Sequence, residues 1–390
     1  MGLCMAVCET ASCACCVGKC LCADGKLPTK CANALYLLIM VLFTVLAFVL
    51  QTYGAPGFNF YSFNVGCSDI PGIDATACKG ENAVYRISIG MSVWFVVLAL
   101  ATLCSHRFHT GLWGIKLVSL ATLVTGFFFI PIAGQYGYVE AARIISAVFL
   151  VSQIVAFIDA AYHWNAYFVD KAFGDQEDRR WTTAILAICF SFVATIVVSV
   201  AMMYVNYSHC ARQSVFITAT VVLILASTVL QLNSHDTDSS LLTSCIVGAY
   251  VVYLCWSAVS SDECNPGVRT DEQLALACVV SACSLAWTCY SAGTRKWVHE
   301  DALPNDERVL LNELEPEDGE EEPEPPNMAW FHLVMATGSV YMSMLLTNWG
   351  TASGHKSEAQ MWVSIVSQWV SLLLYVWTLV APRFCPSREF

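Results

Sequence analysis

Charge is what this chain has least of: Asp, Glu, Lys and Arg make up 13 % of its 390 residues, about half the share of a soluble domain. With 57 % apolar residues and a mean hydropathy of +0.58, a water-solvated globule is excluded and the bilayer is the solvent. The side-chain arrangements of hydrolytic and transfer chemistry are missing as well. There is no H-E-x-x-H, no G-x-S-x-G and no H-x-x-x-x-D, and the eight histidines are scattered along the chain. A glycine-rich phosphate loop is also absent, which argues against a nucleotide-driven pump. Neither an enzyme nor a bound cofactor or metal is expected. A basic face is missing too: residues 300–326 hold 12 of the 31 acids against one base, Arg308, so the net charge of −12 belongs to one segment. The nearly neutral remainder leaves no electrostatic footprint for nucleic acid. Residues 1–30 lack the apolar core of a cleavable signal peptide, so the first span is expected to act as the anchor.

What the chain has in quantity is uncharged apolar runs, each long enough at 1.5 Å per residue to cross a core of about 30 Å. Ten are read: Ala32–Gln51, Ile87–Cys104, Leu117–Ile132, Tyr138–Phe168, Trp181–Val205, Ser214–Leu232, Leu241–Val259, Gln273–Ser291, Met328–Thr347 and Met361–Ala381. Barrel strands would alternate apolar and polar residues, so the runs predict an all-α polytopic membrane protein. Around them the sequence divides into a cysteine-rich tail at 1–31, an outer loop at 52–86, an acidic loop at 299–327 that is too charged to fold alone, and a tail at 382–390. Ten spans place both termini on one side. Thirteen of the 19 Lys and Arg residues fall in inner segments if that side is the cytosol, so cytosolic termini are expected. Cys67 and Cys78 then share the longest outer loop as disulfide candidates, and the sequon Asn206-Tyr207-Ser208 also lies outside.

The fourth run is the most informative, because Glu140, Arg143, Gln153, Asp159 and His163 interrupt it. Ionisable groups are expensive in lipid and face a bundle interior or a wet cavity, which makes each a candidate site. Glu140 and Arg143 are spaced i,i+3 and Asp159 and His163 i,i+4, so each pair can meet on one face. Structural pairing and interfacial snorkelling explain the same residues. A helix over 138–168 would be about 46 Å long, half as long again as the hydrocarbon, and must tilt or protrude. Ser364, Ser367, Gln368, Ser371, Tyr375 and Thr378 in the tenth run, with Ser339, Ser343 and Thr347 in the ninth, have the helical spacing of a polar track, or equally of close helix packing.

In the N-terminal tail Cys13, Cys15, Cys16, Cys20 and Cys22 admit a zinc site, thioester-linked palmitate or unmodified thiols; clean paired C-x-x-C elements are absent. Asp306 stands four residues before Leu310-Leu311, the acidic dileucine spacing read by clathrin adaptors.

Several stretches make the ten-span reading specific: the cysteine-rich opening, Cys78-Lys79-Gly80, Asp238-Ser239-Ser240 followed by Tyr253-Leu254-Cys255-Trp256-Ser257, Phe331-His332, Leu345-Leu346-Thr347-Asn348-Trp349, and Tyr375-Val376-Trp377 running to Ser387-Arg388-Glu389-Phe390. End to end, the chain resembles the serine incorporators, also called TMS membrane proteins. The resemblance implies two helical subdomains crossed by one long tilted helix, in Golgi, endosomal or plasma membrane. It implies support of serine incorporation into phosphatidylserine and sphingolipids, ATP-independent phospholipid scrambling, and no catalytic residues. The short loop after the seventh span departs from many animal members, so the antiviral activity of some vertebrate members is not carried over. The leading expectation is passive lipid redistribution with phospholipids, phosphatidylserine among them, as partners. The runner-up is a scaffold for serine-lipid synthases. A homo-oligomer is compatible with either.

Overall fold

The computed structural model describes residues 27–54, 75–105, 107–130, 135–173, 179–233, 241–260, 276, 278–287, 328–347, 349 and 359–384. In lipid a backbone N–H or C=O finds no water, so each apolar run closes its hydrogen bonds within itself as a helix. Among the described residues ten helices of ten residues or more result: α1 Thr29–Val49, α2 Ala75–Cys104, α3 Trp113–Phe129, α4 Gln135–Phe173, α5 Arg179–Tyr207, α6 Ala211–Leu232, α7 Leu241–Ser260, α8 Cys278–Trp287, α9 Ala329–Leu346 and α10 Ala359–Phe384. Eight are long and apolar enough to cross a membrane; α3 and α8, at the third and eighth runs, are shorter apolar helices. A π-helical turn, Leu50–Gly54, extends α1, and a single turn, Arg107–Thr110, joins α2 to α3. No strand occurs among the described residues.

Two boundaries differ from the sequence reading for one reason. Charged residues end an apolar run but not a helix whose charges find partners. So α2 begins at Ala75, inside the range read as outer loop, and carries Arg86 buried within it. Likewise α4 extends from Gln135 to Phe173, 39 residues or about 58 Å, close to twice the hydrocarbon thickness.

The helices pack as two groups. In the first, α1, α2, α3 and α9 enclose a core centred on Tyr36, whose ring lies 4.9 Å from Trp113, 6.0 Å from Trp94 and 5.9 Å from Phe331. A β-carbon on Gly90 would stand 3.0 Å from the Val124 Cα, so α2 and α3 meet almost backbone to backbone there. In the second, α6, α7 and α10 pack around Val251, Leu254, Leu372 and Tyr375, and α5 packs on α7 through Ile196, Val200 and Met203. The exposed apolar side chains of α5, including Phe190, Val197 and Val205, form a face suited to lipid.

One helix belongs to both groups. Phe149 and Leu150 of α4 pack into the first core, whereas Ile154 and Ile158 pack into the second. The crossover falls on residues 150–154, the middle of the helix, where Gln153 lies. α8 also bridges, with Leu285 in the first core and Val280 against the second.

Candidate functional site

Three polar stations follow one another along α4. At its N-terminal end the Arg143 guanidinium bonds Glu140 Oε1 at 3.0 Å and the Trp349 carbonyl at 3.2 Å. Trp349 is strained, with a left-handed φ of 52°, and is held by its own N–H to the Met344 carbonyl and by Arg143. Arg143 is largely enclosed while Glu140 is 68 % exposed, so this pair acts as a clasp between α4 and the end of α9. Nearer the C-terminal end Asp159 Oδ2 accepts the Trp287 indole N–H at 3.0 Å, and the His163 ring lies 5.3 Å from the same indole. Asp159 and His163 are thus joined through a residue of α8 that no helical spacing could reveal.

Between these stations, at the crossover, lies a cavity of about 20 Å³ lined by Leu150 and Gln153 of α4, Tyr250, Tyr253 and Ser257 of α7, Val280 of α8, Tyr341 of α9, Trp349, and Gln360 and Ser364 of α10. Both helix groups contribute to its wall. Gln153, Gln360 and Ser364 are all buried, and the amide oxygens of Gln153 and Gln360 accept no hydrogen bond. A cavity of this size holds about one water. It is a polar seam and not a lipid-wide channel.

The structure divides the polar stripes of the ninth and tenth runs. Ser364 joins Gln153 in the cavity. Gln368 instead donates to Thr220 Oγ1 of α6 at 2.6 Å, and Ser371 donates to its own Ser367 carbonyl, so both serve packing of the second group. Farther along α10, Tyr375 meets Ser244 of α7 at 2.5 Å, and Ser244 donates to Gln231 of α6. On α9, Ser339 and Ser343 donate to carbonyls one turn back, and Thr347 accepts from Tyr85. Ser88 of α2 contacts Tyr138 of α4 at 2.8 Å and donates to the Ser339 carbonyl. The described residues form polar contacts between helices, not one continuous track.

Other polar residues escaped the sequence reading. Arg86 is 1 % exposed, and its Nη1 donates to the carbonyls of Phe127, Phe128 and Ile130 at 2.7–3.1 Å, closing the C-terminal end of α3. Beside Tyr36, His109 Nδ1 and His332 Nε2 lie 3.1 Å apart, and Lys116 Nζ donates to the His109 carbonyl at 2.9 Å while resting on the Trp113 ring. These residues pin the turn before α3 onto α1 and α9. Their signal in the sequence was the cost of leaving a cation beside an apolar run; their partners were invisible to it.

Among the remaining candidates, Asn206 is exposed in the last turn of α5. Cys78 is buried, while Cys67 lies outside the described residues, as do Cys13, Cys15, Cys16, Cys20, Cys22, Asp306, Leu310 and Leu311. Among the described residues no group of three or more His, Cys, Asp and Glu is placed to hold a metal ion.

Comparison with known proteins gives the architecture a family. The model of the serine incorporator (Serinc) family matches residues 4–388. Serine incorporator 3 of Bos taurus is 26 % identical over 461 aligned positions, covering 98 % of this chain and 96 % of its own length. Serine incorporator 2 of Homo sapiens is 26 % identical with both chains fully covered, and serine incorporator 5 of Rattus norvegicus is 27 % identical over 80 % of this chain and 81 % of its own. None of these names denotes a catalysed reaction. A family match over nearly the whole length, on a bundle of apolar helices, makes this chain an integral membrane protein of the serine incorporator family.

Proposed function

We propose that the chain redistributes phospholipids, phosphatidylserine among them, passively between the two leaflets, and that it supports serine incorporation into phosphatidylserine and sphingolipids by supplying lipid substrate. Exchange between leaflets is slow because a polar headgroup must cross hydrocarbon, where unpartnered polar groups cost several kcal/mol. A protein speeds it by offering polar contacts between helices within the bundle. The observation that carries this reading is the seam cavity: buried, neutral, polar groups at the middle of α4, where one helix leaves the first core and enters the second. In the arrangement described the cavity is water-sized, so lipid passage requires the two groups to part beside α4.

The reading has both termini in the cytosol, the outer disulfide Cys67–Cys78, and residence in Golgi, endosomal or plasma membrane. A sorting contact through Asp306, Leu310 and Leu311 and self-association are compatible with it. Purified protein in proteoliposomes is the test. Labelled phosphatidylserine is expected to equilibrate between leaflets within minutes without nucleotide. If it stays in its original leaflet while the protein co-purifies with serine-lipid synthases, the scaffold reading replaces this one.

A further inference from the structure

The walls of the seam cavity offer acceptors that nothing in the protein satisfies. Gln153 is 3 % exposed and Gln360 4 %, and neither Oε1 accepts a hydrogen bond. Ser364 lines the same space, and the rings of Tyr250, Tyr253 and Tyr341 form part of its wall. Among the described residues no Asp, Glu, Lys, Arg or His lines it. Buried polar atoms of native proteins are nearly always partnered, so two bare amide oxygens on residues that line one cavity point to an occupant that donates.

From this geometry we infer that the cavity receives the primary ammonium of an aminophospholipid headgroup, ethanolamine or serine, with Gln153 and Gln360 as its acceptors. The inference rests on the lipid-redistribution reading and adds a headgroup preference to it. An ammonium group is about the size of a water molecule, which suits a cavity of about 20 Å³, and its three N–H donors match the free oxygens and a serine hydroxyl. The aromatic walls add attraction for a cation. A trimethylammonium group is larger and has no N–H to give, and a phosphate or carboxylate brings only acceptors to a site already rich in them. With no acid among the described residues of the wall, the contact stays weak, as passage demands: a carboxylate there would hold the cation.

The experiment uses the full-length protein in proteoliposomes, with four acyl-labelled lipids matched in pairs by net charge: phosphatidylethanolamine against phosphatidylcholine, and phosphatidylserine against phosphatidylglycerol. In each pair the amino lipid is expected to exchange about three- to tenfold faster, the range one net hydrogen bond supplies. Gln153→Leu combined with Gln360→Leu should bring both ratios to about one, whatever its effect on the absolute rates. Thermal unfolding of the variant in lipid nanodiscs reports that it is folded. Gln153→Asn, which keeps the amide, should retain part of the preference. Equal exchange of all four lipids by the unmodified protein overturns the inference and leaves the transport reading standing, with water as the occupant. A preference that survives the double substitution also overturns it. Exchange of none removes the transport reading and the inference together. Entry of radiolabelled free serine or ethanolamine without any lipid preference would assign the site to a soluble amine and overturn the headgroup assignment.

Discussion

Replacing Arg86 by Met tests whether α3 depends on a donor borrowed from α2. The helix stops because Pro131 has no N–H to continue it and pushes Ile130 to an extended ψ of 120°. In a soluble protein water would take the released carbonyls; here Arg86 Nη1 does, at 2.7 Å from Phe127 O, 3.1 Å from Phe128 O and 2.9 Å from Ile130 O. Two N–H groups share three acceptors, and charge-assisted bonds are worth about 1.5–3 kcal/mol each. Arg86→Met forfeits them but also relieves the desolvation of a buried cation, which offsets part of the loss. A net destabilisation of about 3 kcal/mol is expected. At about 2.1 cal/mol/K per residue a chain of 390 residues has an unfolding entropy near 0.8 kcal/mol/K, so the melting temperature should fall by about 4 °C. Thermal unfolding in lipid nanodiscs, followed by tryptophan fluorescence, measures it, with Arg86→Lys expected to lie between the two because one ammonium covers the three carbonyls poorly. Unfolding of Arg86→Met within about 1 °C of the unmodified protein would refute the reasoning.

Other substitutions separate packing from transport. Asp159→Asn keeps an oxygen for the Trp287 indole while removing the charge, so expression should be unchanged and leaflet exchange slower; an unchanged rate in proteoliposomes takes Asp159 out of the lipid path. Thr220→Val strips Gln368 of its acceptor and should lower stability by about 1–3 kcal/mol, whereas adding Gln368→Leu to it should restore most of that loss, because removing both partners leaves no bare polar group. Thermal unfolding of the two variants side by side decides it, and equal losses would show that the bond contributes nothing.

Helix number and type were legible because lipid permits one solution for an apolar run of this length. Gln153 stood out for the same reason: an amide in hydrocarbon needs an explanation wherever it occurs. The rest depended on contacts distant in sequence. Asp159 and His163 were matched to each other by spacing, yet both turn to Trp287, more than a hundred residues away. Gln368 and Ser371 were placed with Ser364 on one stripe, but a helix surrounded by several neighbours divides its polar side chains among them: Gln368 reaches α6, while Ser364 opens on the seam. Arg86 was read as a loop charge because hydropathy registers that a cation interrupts a run, not that three carbonyls from another helix await it.

The length of α4 makes it a pivot as well as a partition. Tyr138 and Arg143 fasten one end to the first bundle, and Tyr162 fastens the other to Thr378 of the second. Twisting one bundle against the other would therefore wind about this shaft, sparing the hydrogen bonds internal to each. A shaft of about 58 Å leans further in a thin bilayer than in a thick one. Membrane thickness would thus act on the protein as torque, tuning how far its two halves swing apart as it travels from thinner to thicker membranes.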